Sequence, residues 1–158
     1  MADSNKPFAI DPPNVAPAPE TYRQVAITSI LPTSKLITLA GQCGIEPSTG
    51  KVPSPTGNRS EDLIAQARLA YSNVLECLKA VGATPRDVIH VRHYVVKSTG
   101  DPAVDATEIV ERGWGKLWCE FMDREGGGHR PPDTVLGVAS LAKHDLMYEV
   151  EVWAIIHN

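Results

Sequence analysis

The chain has 158 residues, 42% apolar and 22% charged, which suits one folded domain around a single core. A net charge of −4 without a basic stripe argues against nucleic-acid binding, and no apolar run approaches the roughly 18 residues of a membrane span. Cys43, Cys77 and Cys119 lie far apart and are odd in number; this disfavours a disulfide framework and a metal site of the zinc type, and points to a reducing, cytoplasmic setting.

Residues 1–20 are rich in proline and alanine and lack hydrophobic periodicity, so they read as a flexible N-terminal arm. They have no apolar h-region and no arginine, unlike a signal or transit peptide. Residues 21–158 read as one domain. Two strands are expected first, over 22–29 and 35–41, followed by a turn-rich loop over 46–57. A helix is expected from Ser60, as N-cap, to Val81, with Gly82 ending it; Ile64, Ala67, Tyr71, Val74, Leu78 and Val81 form its apolar stripe. A strand over 87–97 comes next. The second helix is expected to run from Pro102 to Asp123, with Asp101 as cap and Ile109, Trp114, Leu117, Trp118 and Phe121 as its stripe. Strands over 134–141 and 146–156 close the chain. The order β-β-α-β-α-β-β implies an α+β domain with two helices on one face of a mixed sheet.

The last strand alternates. Leu146, Tyr148, Val150, Val152 and Ala154 should pack on the helices, while Met147, Glu149, Glu151, Trp153 and Ile155 take the opposite side. Along 87–97, Val88, His90, Arg92, Tyr94 and Val96 share one face; Ile89, Val91, His93 and Val95 share the more apolar one. A face that mixes Trp153 and Tyr94 with Glu149, Glu151 and Arg92 suits contact between subunits. His90 and His93, on opposite faces, cannot share a metal and read as packing residues, and Glu151 reads as structural.

Several stretches carry a family resemblance. "LITLAGQCGIEPSTGKV" resembles the strand, Ser-Gly-Gln turn and Pro-x-Thr-Gly loop of the Rid family, also called the YjgF family. "AQARLAYSNVLECLKAVGATPRDVIHVRHYVV" resembles its first helix, Gly-Ala turn and following strand, and "PPDTVLGVASLAKHDLMYEVEVWAI" its closing strand pair. The likeness spans roughly residues 22–156. It implies a chorismate-mutase-like α+β fold and a homotrimer with small-molecule clefts between subunits. It also implies hydrolysis of enamines and imines without a cofactor, with an arginine gripping the substrate carboxylate and a glutamate positioning water.

Carried onto this sequence, the resemblance makes Glu149 the candidate catalytic residue. Substrate contacts are assigned to Tyr22, Ala40, Gly41, Gln42, Trp114, Asp133 and Thr134. Two positions depart from the family text. Ala40 stands where a serine is usual, and Asp133 where the arginine is usual. Loss of a charge-assisted pair costs about 1.5–3 kcal/mol, and a like charge costs more. The expectation is therefore a diverged enzyme acting on a small enamine, imine or carbonyl compound without the usual α-carboxylate. The alternative is a non-catalytic trimer with metabolite-binding, regulatory or chaperone-like roles. Glu149 itself reads either as a water-activating group or as an interface glutamate paired with Arg92 or another subunit's base. Asp133 reads either as a strand-entry residue or as a ligand contact. Cys43 has no flanking base and reads as inert.

Overall fold

The computed structural model describes residues 5–157. Its elements in chain order are β1 (Phe8–Ile10), β2 (Val25–Ile27), β3 (Ser34–Thr38), β4 (Gln42–Cys43), α1 (Arg59–Ala80) and β5 (Val88–Val96). The one-turn α2 (Pro102–Asp105), α3 (Trp114–Gly126), β6 (Asp133–Val138) and β7 (Tyr148–His157) complete it, with 3₁₀ turns at Pro85–Asp87 and Ile109–Glu111.

The main sheet runs β3-β7-β5-β6, with β4 also paired to β7. β5 and β6 are parallel, and the other pairs are antiparallel, so the sheet is mixed. Parallel neighbours need a long crossover, and α3 lies within that connection. Leu63, Ala67, Ala70, Tyr71, Val74 and Leu78 of α1 and Trp114, Trp118, Phe121 and Met122 of α3 are buried in one core with Val91, Val95, Val150, Val152 and Ala154 of the sheet. The opposite face carries Arg92, Tyr94, Glu149, Glu151 and Trp153, all half-buried. The expected α+β architecture, with its helices on one face of a mixed sheet, is the observed one.

Several local expectations are corrected. The cap of α1 is Asn58, not Ser60; its side chain accepts hydrogen bonds from the Ser60 and Glu61 amides at 3.0 and 3.3 Å. The second helix is not continuous over 102–123. α2 ends at Asp105, a 3₁₀ turn follows at Ile109–Glu111, and a new helix starts at Trp114 after Gly113, whose φ of +87° lies in left-handed space through which no α-helix continues. Val88 faces the core rather than sharing the face of His90. The pairing with β7 shifts between these two residues, from Val88↔Ala154 to His90↔Trp153, and this bulge reverses the side of Val88. Met147 precedes β7 and is buried in the core. The N-terminal segment read as an arm contributes β1, which pairs antiparallel with β2.

A Cβ at position 113 would meet Ile64 Cδ1 at 2.9 Å, on top of the positive φ. Gly113→Ala should therefore lower stability by about 1–3 kcal/mol, read from the urea midpoint. An unchanged midpoint would mean that α3 does not depend on this break.

Candidate functional site

The sheet face away from the helices is built in rows. One row crosses Thr134, Arg92 and Glu151, and the next crosses Leu136, Tyr94, Glu149 and Cys43, as successive Cα partners. The end of β4 and the turn after it are held from the helix side. Asn73 of α1 donates from Nδ2 to the Cys43 and Ile45 carbonyls, each at 3.0 Å. Buried Gly44 lies so close to α1 that a Cβ there would meet Gln66 backbone atoms at 2.4 Å. These contacts fix β4 against β7 and set Gly41 beneath Glu149.

The Glu149 carboxylate lies over Gly41, where a Cβ would come within 1.9 Å of Oε1. Its Oε2 accepts from the Cys43 thiol at 3.4 Å. Burial, then the Glu149 carboxylate, pushes the Cys43 thiol up to about 12, so it stays a proton-bearing donor. Gln42 turns its amide to the Ala40 carbonyl at 2.9 Å. Glu149 Oε1 has no hydrogen-bond partner among the described residues.

Glu151, two residues on, is the opposite case. It accepts from Trp153 Nε1 at 2.9 Å, Tyr94 OH at 3.1 Å and Arg92 Nη1 at 3.2 and 3.3 Å. The Trp153 bond, followed by those from Tyr94 and Arg92, holds its carboxyl below the ordinary range against a smaller opposing effect of burial. Arg92 also lies over the Trp153 ring at 5.6 Å. The one arginine on this strand thus belongs to Glu151 and not to Glu149.

The structure brings Ala40, Gly41, Gln42 and Glu149 together, and Thr134 faces outward on the same surface. Trp114 lies in the core: it is buried, donates to the Ile109 carbonyl at 2.7 Å, and lies beside the His93 ring. Tyr22 sits in the segment against α3, where the neighbouring Thr21 carbonyl accepts from Trp118; its own hydroxyl makes no hydrogen bond among the described residues. Asp133 also turns inward. Its side chain is 2% exposed, and its Oδ2 faces Nε2 of fully buried His93 at 3.7 Å. That exceeds hydrogen-bond length, and neither atom has another partner.

Hydrogen counting sets the protonation of this buried pair. Tyr71 OH gives its one hydrogen to the Trp114 carbonyl, which can only accept. Tyr71 then accepts from Tyr148 OH at 2.6 Å, so Tyr148 accepts from His93 Nδ1–H at 2.6 Å. A neutral His93 therefore presents a bare Nε2 lone pair to Asp133. A carboxyl that keeps its proton fits there, whereas a carboxylate would be repelled. Burial acts in the same sense, raising Asp133 to about 7 and lowering His93 to about 3. Sequence periodicity placed His93 on the core side; only the strand register reveals Asp133 beside it, since Asp133 pairs with inward-facing Val91.

The comparisons agree with this architecture. Residues 14–156 match the family model described as Endoribonuclease L-PSP, and the chain belongs to that family, which is the Rid (YjgF) family. A RutC family protein of Haemophilus influenzae is 28% identical over 120 residues, 76% of this chain and 78% of the relative. The crystal structure of YyfB of Yersinia pestis, a Rid-family protein of unknown function, matches with a TM-score of 0.68 and 23% identity over 96% of this chain and 99% of that one. E. coli TdcF with bound serine matches with a TM-score of 0.58 and 21% identity, over 88% and 96%. At these identities the structural likeness establishes the fold. Among the described residues no helix is long and apolar enough to cross a membrane, and no cluster of three or more metal-ligating side chains forms.

The buried pair yields a pH prediction. Unfolded, Asp133 and His93 titrate near 3.8 and 6.5, so at about pH 5 their one shared proton is on histidine. Folded, the one proton is on the carboxyl, so the pair adds no pH slope to stability between about pH 4 and 6.5. Single variants should unmask opposite slopes. In Asp133→Asn the fold binds fewer protons than the unfolded chain through His93, and stability rises with pH between about 3 and 6.5. In His93→Gln the fold keeps a proton on Asp133 that the unfolded chain has lost, and stability falls as pH rises from about 4 to 7. Each slope reaches up to about 1.4 kcal/mol per pH unit in denaturant melts. Slopes of the same sign in both variants would contradict this protonation scheme.

Proposed function

We propose that this Rid-family chain is a hydrolase of small enamines, imines or related carbonyl compounds that lack an α-carboxylate. It works as a homotrimer, without a cofactor, in clefts formed where a neighbouring subunit meets the outer sheet face. The observation that carries the reading is the contrast between two carboxylates on β7. Glu151 is saturated by three donor groups, whereas Glu149 offers a half-exposed Oε1 above a glycine that leaves room for nothing else. A carboxylate held at one oxygen and open at the other suits proton transfer to a small ligand.

In the proposed reaction Glu149 takes a proton from water as the water oxygen bonds to the imine carbon. It gives that proton to the nitrogen, forming a carbinolamine, then takes the carbinolamine hydroxyl proton and passes it to the amine as the C–N bond breaks, giving a carbonyl compound and ammonia. Ala40, Gly41, Gln42 and Thr134 line the cleft. Asp133 and Trp114 act from within the core as supports of the sheet. The preference against an α-carboxylate rests on Arg92 being neutralised by Glu151 and on the absence of an outward cation at position 133. TdcF, of like fold, holds serine in its crystal structure, which favours a small ligand here too. A metabolite-binding trimer without catalysis is the second reading. It is favoured by the apolar row Phe8, Ile10, Val25 and Ile27 that the β1-β2 ribbon exposes on one side.

Ammonia release from imines generated in situ separates the two. Carboxylate-free imines should turn over faster than 2-iminopropionate, and Glu149→Gln should lower the rate about 10²-fold or more. Gly41→Ala should lose activity to a similar degree with an unchanged melting temperature, because its methyl displaces the Glu149 carboxylate. No turnover of any imine, enamine or carbonyl compound would leave only the binding reading.

The assembly is tested separately. Leu36 is 60% exposed and Leu136 38% exposed on the outer face, which favours cover by another copy. Light scattering should give three times the 17.1 kDa protomer mass. A single-protomer mass would remove the cleft as proposed.

A further inference from the structure

We infer that the seam between the N-terminal ribbon and the loop after α3 binds the phosphate group of a small phosphorylated metabolite. A cavity of about 220 Å³ lies there, lined by Arg23, Arg86, Arg130, His129, Gly128 and Phe8 among others, and no acidic side chain among the described residues lines it. In a chain of net charge −4, three guanidinium groups around one acid-free cavity are a local inversion of charge. Two of them are partly balanced from outside the cavity, Arg23 by Asp11 at 3.5 Å and Arg130 by Asp123 at 2.6 Å. Arg86 has no carboxylate partner among the described residues, and its hydrogen bond goes from Nη1 to the Pro7 carbonyl. A guanidinium carries five N–H donors, so Arg86 keeps most of its fork for a ligand.

The neighbouring groups keep the site positive without adding competition. His129 is neutral: its Nε2–H donates to the Val88 carbonyl at 2.7 Å, and burial, the largest influence, lowers its affinity for a proton. The charge therefore comes from arginine alone and persists across the physiological range. One bidentate arginine saturates a carboxylate, whereas three arginines around one cavity match the three terminal oxygens of a phosphate monoester. The volume, on the order of seven water volumes, admits a phosphate with a short organic group.

Two of these arginines tie the N-terminal segment to the rest of the fold, while the bond of Arg23 stays within that segment. Arg23 donates to the Tyr22 carbonyl, Arg86 to that of Pro7 and Arg130 to that of Glu20. Ligand binding and ribbon docking are thus linked, and a bound phosphate stabilises the fold by mass action. This site is separate from Glu149 and does not rest on the reaction proposed above.

The test is thermal unfolding of the full chain with glycerol 3-phosphate or inorganic phosphate, against sodium chloride at equal ionic strength. The expected result is a saturable rise in melting temperature with both phosphates and none with chloride. Arg86→Gln should shift the half-saturating concentration at least tenfold upward. Arg86→Lys keeps a donor for the Pro7 carbonyl but loses the fork; it should fold like the wild type and weaken phosphate binding, so it decides the matter if the glutamine variant does not fold. Glu149→Gln should leave the phosphate response intact. The inference is overturned if neither phosphate gives a saturable shift, or if Arg86→Lys binds as the wild type does. It is also overturned if a single-stranded oligoribonucleotide binds through Arg86 while glycerol 3-phosphate has no effect.

Discussion

The two-residue period of β7 is the constraint on which the rest depends. This strand pairs with β3, β4 and β5, so the side each of its residues takes decides the side of its neighbours. Tyr148, Val150, Val152 and Ala154 are fully buried against the helices. Glu149, Glu151 and Trp153 must then stand on the other face. A one-residue slip would place two carboxylates in the core, at a cost no packing gain could offset. The candidate chemistry is therefore fixed to the outer face by the same alternation that builds the core.

Two glutamates on one strand and one face acquire different roles from their neighbours. Glu151 meets Arg92, Tyr94 and Trp153 and becomes the centre of a polar cluster that stiffens the outer face. Glu149 meets a weak thiol donor and a glycine. Environment, not residue type, separates the structural acid from the one available for reaction, which is a recurrent way of dividing labour between carboxylates. The division is set from the helix side. Asn73 and the close approach of Gly44 to Gln66 hold β4 in place, and β4 carries both Cys43 and the turn containing Gly41.

Much of this was legible in the sequence because it follows from period alone. The stripe of α1 and the alternation of β7 read directly, while the candidacy of Glu149 and the Gly41-Gln42 pair came from the family resemblance. What did not read depends on backbone details that side-chain pattern cannot carry. The second helix stops at Asp105 and restarts only after Gly113 in left-handed space, where the apolar pattern runs on without a break. The bulge after Val88 moves that residue to the core although its spacing from His90 argues the reverse. β1 is three residues long in a proline-rich segment, too short to show a period. Cys43 is unreactive as read, its thiol pushed up to about 12, but its hydrogen bond to Glu149 did not read, because strand pairing creates that contact across 106 positions of chain.

Asp133 shows where a position along the chain and a position in space part company. The text around it resembles a strand entry at which the family resemblance implies an arginine, and an acid there suggests a cleft of reversed charge. The register with β5 puts Asp133 level with Val91, on the core side, while Thr134 takes the outer side beside Arg92. Two prolines immediately before it limit the freedom of the chain to turn that side chain back. Burial then makes ionisation costly, and the direction of the Tyr71–Tyr148–His93 hydrogen bonds leaves only a lone pair opposite it. The residue is neutral because of how the core is wired, so it imposes no negative charge on the outer cleft. What position 133 withholds from that cleft is a cation, and the sole arginine of β5 is already claimed by Glu151. The preference against carboxylate-bearing ligands proposed above would thus rest on the pairing of Arg92 with Glu151 and not on repulsion by Asp133.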